Sequence, residues 1–558
     1  MRTSGRTRGR TRGRTSTRST PRRGALAGLA ALAAAVLLAG CTSDPASGAE
    51  DAATPTGPRA DVLRVLAGSE LRDVEPVLTG VAERTGVRVE LTYTGTLEGT
   101  RLVADGGAAG YDATWFPSND HLALLDGGRA AVARSEDVMS SPVALGVARA
   151  TAVELGWVGR SPTWAEVVDA ADDGRLRYGM TSPVSSNSGF ATLVGAATAL
   201  SGTGTVLAEQ DVAAVAGQLR RLARGHALTA GSTGFLVERF TADPRGVNAL
   251  FGYESVLRPL RAGGEPLDVL TPSDGTLTAE YPLTLLRSAG EEQGRAYDAV
   301  VADLLSEPVQ RELAATGRRT TAGGPAAATD VYELPFPNRL STVRALLSAY
   351  QSEIKKPSDV VFAVDTSGSM DGERLTQLQG ALAALTVPDG DAGGAPGEGL
   401  LAFQARENVR YVEFADAVKS RGTFAVDPAD RAGSLARIRE WTASLRARGG
   451  TAIHDSLRVA YEEALSVLEA DPERFVSVTL FTDGENTDGG TLADFRAWHG
   501  RQAAAGRPVA SVPTFVIVFG EADPAEMAEL AALTGGETFA AGGAADLAGV
   551  FEEIRGYQ

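Results

Sequence analysis

The sequence predicts an α/β protein built from two successive folded regions, each layering helices on a sheet. Short apolar runs bounded by turn residues alternate with stretches of helical spacing along most of the chain. A length of 558 residues gives room for two or three domains, each with its own core. Hydrophobic residues at 43% and charged residues at 22% match the composition of soluble globular domains.

The formal charge of −17 hides an asymmetry, because residues 1–40 hold nine arginines and no acids, leaving the remainder more acidic still. A strongly acidic protein repels phosphate backbones, which argues against a nucleic-acid partner. Only Lys355, Lys356 and Lys419 among the 53 basic residues are lysines, a bias that fits a GC-rich coding sequence and carries no mechanism.

Residues 2–23 are arginine-rich, and residues 24–39 form an apolar stretch too short for a comfortable membrane span. It ends in Leu38-Ala39-Gly40-Cys41, followed by Thr42-Ser43-Asp44. This resembles a bacterial lipobox, which implies a lipoprotein signal peptide over 1–40 and lipidation of Cys41. An ordinary signal peptide with an incidental cysteine is the plainer alternative. Acyl chains anchor a protein to a membrane without spanning it. No later segment is apolar for 18 residues, so the expected location is extracytoplasmic, on the outer face of a bacterial membrane. The chain has one cysteine and therefore no internal disulfide. Arg22-Arg23 leaves twin-arginine export open beside the general route. Residues 41–60, rich in Ala, Ser, Pro, Thr and Asp, read as a flexible tether.

The first folded region is expected over 61–340. Strands are read at 62–66, 87–93 and 111–116, the last running into Pro117-Ser118-Asn119-Asp120, with a helix at 74–81. This alternation predicts a mostly parallel sheet, and a region of roughly 280 residues favours two lobes over one.

Several phrases then occur in a characteristic order: Gly68-Ser69-Glu70, Tyr93-Thr94-Gly95-Thr96, Tyr111-Asp112-Ala113-Thr114-Trp115 and Pro162-Thr163-Trp164-Ala165-Glu166-Val167. Thr181-Ser182-Pro183 leads into Ser185-Ser186-Asn187-Ser188-Gly189, followed by Phe251-Gly252-Tyr253-Glu254-Ser255, Ala279-Glu280-Tyr281-Pro282-Leu283 and Leu305-Ser306-Glu307-Pro308-Val309-Gln310. Together they resemble the two-lobed solute-binding proteins of ABC transporters, of type II topology, and the resemblance covers nearly all of 62–320. It implies a periplasmic-binding-protein-like fold with a small-molecule solute held between the lobes. The implied contacts are Ser69, Thr96, Ser118, Ser186, Asn187, Ser188 and Tyr253. Ser186-Asn187-Ser188-Gly189 precedes the helical run 190–200, so free backbone N–H groups and hydroxyls there suit an anion. Ser and Asn are also what any helix start prefers, so a plain N-cap stands beside that reading.

Ala and Gly clusters follow, then Pro335 and Pro337, which favour extended chain, and a helical stretch at 343–350. Residues 341–358 read as a linker to the second region, 359–558. There the apolar run 360–364 leads into Asp365-Thr366-Ser367-Gly368-Ser369-Met370 and a helical pattern of Leu375, Leu378, Leu382 and Leu385. Strands are expected at 400–403 and 409–414 as neighbours, at 476–481 and at 515–519. Helices are expected at 435–445, 524–533 and, closing the chain, 545–554.

The strand–turn–helix layout gathers carboxylate and hydroxyl oxygens at the carboxyl edge of a sheet, where they suit a hard divalent cation such as Mg²⁺. Asp365-x-Ser367-x-Ser369, Thr451 in Gly449-Gly450-Thr451, and Asp483 after a buried strand resemble the metal-ion-dependent adhesion site of the von Willebrand factor A (VWA) domain. That family has a Rossmann-like, doubly wound sheet. The resemblance implies that Ser367 and Ser369 coordinate Mg²⁺, or another divalent cation such as Mn²⁺ or Ca²⁺. Thr451 is implied to coordinate directly or through water, while Asp365 and Asp483 hold coordinating waters. It further implies a protein partner whose acidic residue completes the shell. Helix capping by small polar residues is the bland account of the five-residue motif taken alone. Glu485, Asn486 and Asp488 read as solvated loop residues, and 483–494 does not follow the EF-hand pattern.

Catalysis is not expected. No Gly-x-Ser-x-Gly elbow, Walker loop or Cys/His zinc spacing occurs. Ser352-x-x-Lys355 lacks its companion motifs. Of His121, His226, His454 and His499, only His454 lies near the metal motif, and without an evident carboxylate partner it reads as a surface residue. The function expected is cation-dependent binding of a protein by a lipid-anchored chain. The alternative is a transporter-linked receptor for a small solute with the second region as accessory.

Overall fold

The computed structural model describes residues 61–242, 246–321, 331–386, 403, 406–427, 429–519, 524–540, 550–551 and 554. The leader, Cys41 and the tether lie outside the described residues, as do most of the strand expected at 400–403 and of the closing helix expected at 545–554.

The first lobe opens with β1 (Asp61–Ala67), β2 (Val87–Tyr93), β3 (Ala113–Trp115) and β4 (Val132–Asp137). The chain then crosses to a second sheet with β5 (Ser141–Val147), β6 (Tyr178–Thr181), β7 (His226–Ala230) and β8 (Ala249–Tyr253). A small hairpin, β9 (Arg261–Ala262) and β10 (Glu265–Pro266), precedes β11 (Asp268–Leu270) and β12 (Thr278–Ala279). The chain returns with β13 (Pro282–Leu286), which inserts between β3 and β4. The sheet orders are β2-β1-β3-β13-β4 and β11-β5-β8-β6-β7, with β12 on β5. Two sheets joined by two crossings are the two lobes expected.

The sheets are mixed rather than mostly parallel. β1 pairs in parallel with β2 and β3, but β13 runs antiparallel to both its neighbours, and β5 runs antiparallel to β8 and β11. Alternating strands and helices led to the parallel expectation. A strand that returns from the other lobe enters its sheet from the opposite end, and no local pattern announces that.

The segment read as a linker is ordered and packed. Helix Leu340–Ala349 continues into a π turn, Tyr350–Ile354. Val343, Leu346, Leu347, Tyr350 and Ile354 are buried in the same apolar cluster as Val212, Val215 and Leu219 of helix Glu209–Arg224.

The second region is one six-stranded sheet: β14 (Ser358–Asp365), β15 (Asn408–Phe414), β16 (Val418–Ala425), β17 (Phe475–Thr482), β18 (Thr514–Val518) and β19 (Thr538–Ala540). Their order is β16-β15-β14-β17-β18-β19, parallel except for β16 against β15. The alternation of side chains along β14 explains the double winding. Val360, Phe362 and Val364 face a layer with Leu375, Leu378 and Leu382 of helix Glu373–Ala384 and Leu435 and Ile438 of helix Arg431–Ser444. Val361 and Ala363 face the other layer, with Ile453, Leu457 and Tyr461 of helix Ile453–Ala470 and Phe495 of helix Leu492–Ala504. A strand buried on both faces reads as a continuous apolar run, as 360–364 does.

The first of these layers is continuous with the second lobe. Leu236 and Phe240 of helix Thr233–Ala242, with Leu250 and Leu267, belong to the same apolar cluster as Phe515 and Phe539. Arg239 Nη2 donates to Gly535 O at 3.2 Å across this seam. Among the described residues no helix is long and apolar enough to cross a membrane.

Candidate functional site

β14 and β17 are parallel neighbours at the centre of the second sheet, so their carboxyl ends deliver Asp365 and Thr482-Asp483 side by side. The chain turns sharply after β14, with Met370 fully buried as an anchor beneath the serine loop. A third loop, 448–452, is stitched to both. Gly368 N donates to Gly449 O at 2.9 Å and Arg448 N to Thr366 O at 2.8 Å on the β14 side, and Thr487 N donates to Thr451 O at 2.9 Å on the β17 side. Lys419 Nζ bridges the same turns, donating to Thr366 O at 2.8 Å and Arg448 O at 3.0 Å.

These loops bring the five expected residues together. Asp365 is fully buried; its Oδ1 accepts from Ser367 N at 2.8 Å and its Oδ2 from Thr482 Oγ1 at 2.7 Å. Burial pushes the Asp365 carboxyl above the usual carboxylate range, against the opposing pull of the Ser367 and Thr482 hydrogen bonds. Ser367 Oγ and Ser369 Oγ lie 3.0 Å apart, and Ser369 Oγ donates to Asp483 Oδ1 at 2.9 Å. Thr451 Oγ1 and Ser369 Oγ both face Gly484, at 3.9 and 3.5 Å from where a Cβ would stand. Asp483 is enclosed, and Arg374 Nη1 donates to its Oδ2.

This all-oxygen set of three hydroxyls and two enclosed carboxylates fits a hard divalent cation and offers nothing to a soft one. Among the described residues no group of three or more His, Cys, Asp or Glu side chains is placed to hold a metal ion, so this cluster depends on its hydroxyls.

Two expectations about its neighbourhood need correction. His454 is buried, not a surface residue, and its Nε2 lies 2.9 Å from Glu526 Oε1. The partner sits 72 residues away on helix Pro524–Thr534, a distance that local reading does not cross. Asn486 is structural rather than merely solvated: its Oδ1 accepts from Ile453 N at 2.8 Å, satisfying the start of helix Ile453–Ala470. Glu485 and Asp488 are exposed, as expected.

Between the lobes the seven expected contacts divide. Asn187 Nδ2 donates to Tyr253 Oη at 2.8 Å, while Ser188 Oγ lies 2.8 Å from Thr181 Oγ1 and 3.1 Å from Thr233 Oγ1. Ser186 precedes helix Asn187–Ser201 but makes no capping hydrogen bond. Thr181 Oγ1 instead accepts from Gly189 N at 2.8 Å, so one of the N–H groups suited to an anion is already engaged. Thr96 is buried at the start of helix Thr96–Ala104, and the adjacent Gly95 approaches the opposite lobe, with Ser185 O 2.6 Å from its Cβ position. Ser69 is half-buried, and Ser118 turns locally, donating to Asp120 Oδ2 at 2.8 Å.

Sequence reading missed the charges here. Arg318 is 0% exposed; its Nη1 donates to Asp73 Oδ2 and its Nη2 to Glu70 O, both at 2.8 Å, and it lies 5.3 Å from the centre of the Tyr281 ring. Glu70 is half-buried as a residue, yet its carboxyl end is enclosed and Oε1 has no hydrogen-bond partner among the described residues. Burial pushes that carboxyl up to about 7, with Arg318 pulling the other way. Tyr281 is buried with φ at 45°, a left-handed conformation unusual for a bulky side chain. Glu70 and Tyr281 stood inside the motifs that suggested the fold, whereas Arg318 carried no signal.

Residues 359–553 match the family model of the von Willebrand factor type A domain. This part of the chain is a VWA domain. Inter-alpha-trypsin inhibitor heavy chain H4 of Sus scrofa is 30% identical over 138 residues, 24% of this chain. The chain spans 13% of that relative's length. A von Willebrand factor type A structure from Catenulispora acidiphila is similar at 19% identity and a TM-score of 0.27, covering 37% of this chain and 43% of that one. The first half is similar to the periplasmic binding protein AfuA from Actinobacillus pleuropneumoniae, with fructose-6-phosphate bound. The two are 13% identical with a TM-score of 0.42, over 53% of this chain and 98% of that one. The solute-binding-like fold stands on the two sheets and two crossings described above.

Proposed function

We propose that this chain is a lipid-anchored protein on the outer face of a bacterial membrane, binding a protein partner through a divalent cation held by its VWA domain. The observation that carries the reading is the meeting of three loops at one sheet edge, where Asp365, Ser367, Ser369, Thr451 and Asp483 point oxygens into one place. Ser367, Ser369 and Thr451 would hold Mg²⁺, with Asp365 and Asp483 fixing its waters. When bound, the cation supplies an electrophilic position that a partner's carboxylate can complete. The neutral hydroxyls leave that electrophilicity largely unquenched.

A binding role, not a catalytic one, agrees with the histidines. His121 Nδ1 lies 2.7 Å from Thr100 Oγ1, His226 stacks on Tyr178, His454 meets Glu526, and His499 packs edge-on to Tyr461. Each is engaged in packing within its own region.

The test is capture by the immobilised full chain in Mg²⁺, in EDTA, and with Asp365→Ala. The expected outcome is partner capture that needs the cation and drops at least tenfold in the variant, with the circular dichroism spectrum unchanged. Capture that survives both treatments defeats the reading.

A second reading, capture of a small solute between the lobes, is favoured by one observation. Asn187 is hydrogen-bonded to Tyr253, whose ring packs 5.9 Å from that of Tyr281, and Tyr281 in turn lies 5.3 Å from the buried Arg318. A thermal-shift screen against small anions, sugars and amino acids decides it, with Asn187→Ala expected to cancel any shift.

A further inference from the structure

Asp483 presents two oxygens to two different kinds of partner. Oδ1 accepts from the neutral hydroxyl of Ser369, a residue expected to hold the cation, and Oδ2 is held by the guanidinium of Arg374. Arg374 is the second residue of helix Glu373–Ala384, one short turn beyond the serine loop, and its Nη1 also lies 3.3 Å from Ser369 O. The pair is unequal. The Asp483 side chain is 0% exposed, whereas that of Arg374 is 39% exposed. The carboxylate is fixed in the site and the guanidinium reaches in from solvent. Asp365, by contrast, meets neutral donors, Ser367 N and Thr482 Oγ1. Lys419, another nearby cation, is committed to the carbonyls of Thr366 and Arg448.

A divalent ion and a guanidinium within a few ångströms of the same enclosed carboxylate repel each other strongly, because little water intervenes. The arginine cannot escape the conflict by losing its proton. It can leave by rotating outward, since its exposed stem can turn without opening the core. We infer that Arg374 is an exchangeable counter-ion of the metal site, neutralising Asp483 until a divalent cation displaces it to the rim. The cation affinity of this VWA domain is then set by an exchange of charges as well as by the five oxygen-bearing residues of the site. This rests on the metal reading above and adds to it a residue outside the adhesion motif.

The experiment is isothermal titration of the full chain with Mg²⁺, repeated with Mn²⁺, for the wild type, Arg374→Gln and Arg374→Lys. Arg374→Gln removes the competing charge and is expected to bind Mg²⁺ about tenfold more tightly. Arg374→Lys keeps the charge and should stay within about threefold of the wild type. Thermal unfolding supplies an independent readout. In EDTA, Arg374→Gln should melt below the wild type, because Asp483 has lost its counter-charge, and saturating Mg²⁺ should close the gap. If the wild type binds Mg²⁺ and Arg374→Gln binds it equally or more weakly, the exchange is overturned while the metal reading stands. If neither ion binds to any of the three proteins, the metal reading falls and the exchange with it. Binding seen only in Arg374→Gln supports the exchange in its strongest form.

Discussion

At the edge of the VWA sheet, two carboxylates and three hydroxyls converge from loops tied together by backbone hydrogen bonds. In the cleft between the lobes, polar side chains also converge, but from two sheets joined by two crossings of the chain. Asn187 and Tyr253 belong to one lobe, and Glu70 and Asp73 to the other. The first site is held within one rigid layer; the second is assembled only when two layers approach. Their close contacts differ too. At Gly189, where the cleft helix begins, an added Cβ would lie 2.0 Å from Thr181 O, a backbone atom. At Gly450, in the metal loop, it would lie 1.9 Å from Asp488 Oδ2, the tip of an exposed side chain.

That difference predicts the largest effect. Gly189→Ala forces two backbone segments apart and should cost about 3 kcal/mol or more, read from guanidinium unfolding of the full chain. Gly450→Ala meets a carboxylate that can swing into water and should cost less than about 1 kcal/mol. Equal losses would erase the contrast between a helix start wedged against backbone and a loop bounded by mobile side chains.

The same contrast explains what could be read in advance. Asp365, Ser367 and Ser369 lie in one five-residue phrase, and Asp483 directly follows a buried strand, so strand ends and chemistry coincide in the sequence. Thr482 refines the site from the end of that strand, and Arg374 from the helix that follows the serine loop. Arg374 was overlooked because an arginine in the first turn of an amphipathic helix looks like any solvated charge. The cleft hides more. Arg318 follows helix Glu307–Ala315, in a stretch whose sequence gives no reason to bury a charge. Only the return of β13 to the first sheet brings Tyr281 beside it. The helices were legible where apolar spacing was strong, as in Asn187–Ser201 and Glu373–Ala384. Strand direction was not, because a parallel and an antiparallel return leave the same local pattern.

A second prediction uses the enclosed acid of the cleft. The Glu70 carboxyl keeps its proton up to about 7 in the folded chain, against an ordinary value of 4.5, chiefly through burial. Between those values the folded chain binds more protons than the unfolded one, so stability from this group is full below 4.5 and is lost as pH rises through 7. Glu70→Gln removes the charge that burial penalises. It should therefore raise stability by about 2 kcal/mol at pH 8 and have little effect at pH 4, as measured by denaturant midpoints across that range. A variant that destabilises at pH 8 would show that the carboxylate is held there as a charge, and one that stabilises equally at both pH values would show that burial does not raise it.

The VWA domain holds the complementary case, a buried base given an acidic partner. His454 is enclosed at the start of helix Ile453–Ala470, beside the metal loop, and Glu526 reaches it from helix Pro524–Thr534. The Glu526 side chain is 29% exposed, so water already screens much of what its charge contributes. Glu526→Gln retains a carbonyl oxygen able to accept from the imidazole and loses only the charge. The expected cost is below about 1 kcal/mol at neutral pH, the smallest of the three effects. Because His454 lies three residues after Thr451, Mg²⁺ titration of the same variant shows whether this pair also positions the metal loop. Unchanged Mg²⁺ affinity together with a small loss of stability would identify the pair as a fastening between two helices. A tenfold loss of affinity at similar stability would make it part of the support for Thr451 and bind the two halves of the VWA site more closely than their shared sheet requires.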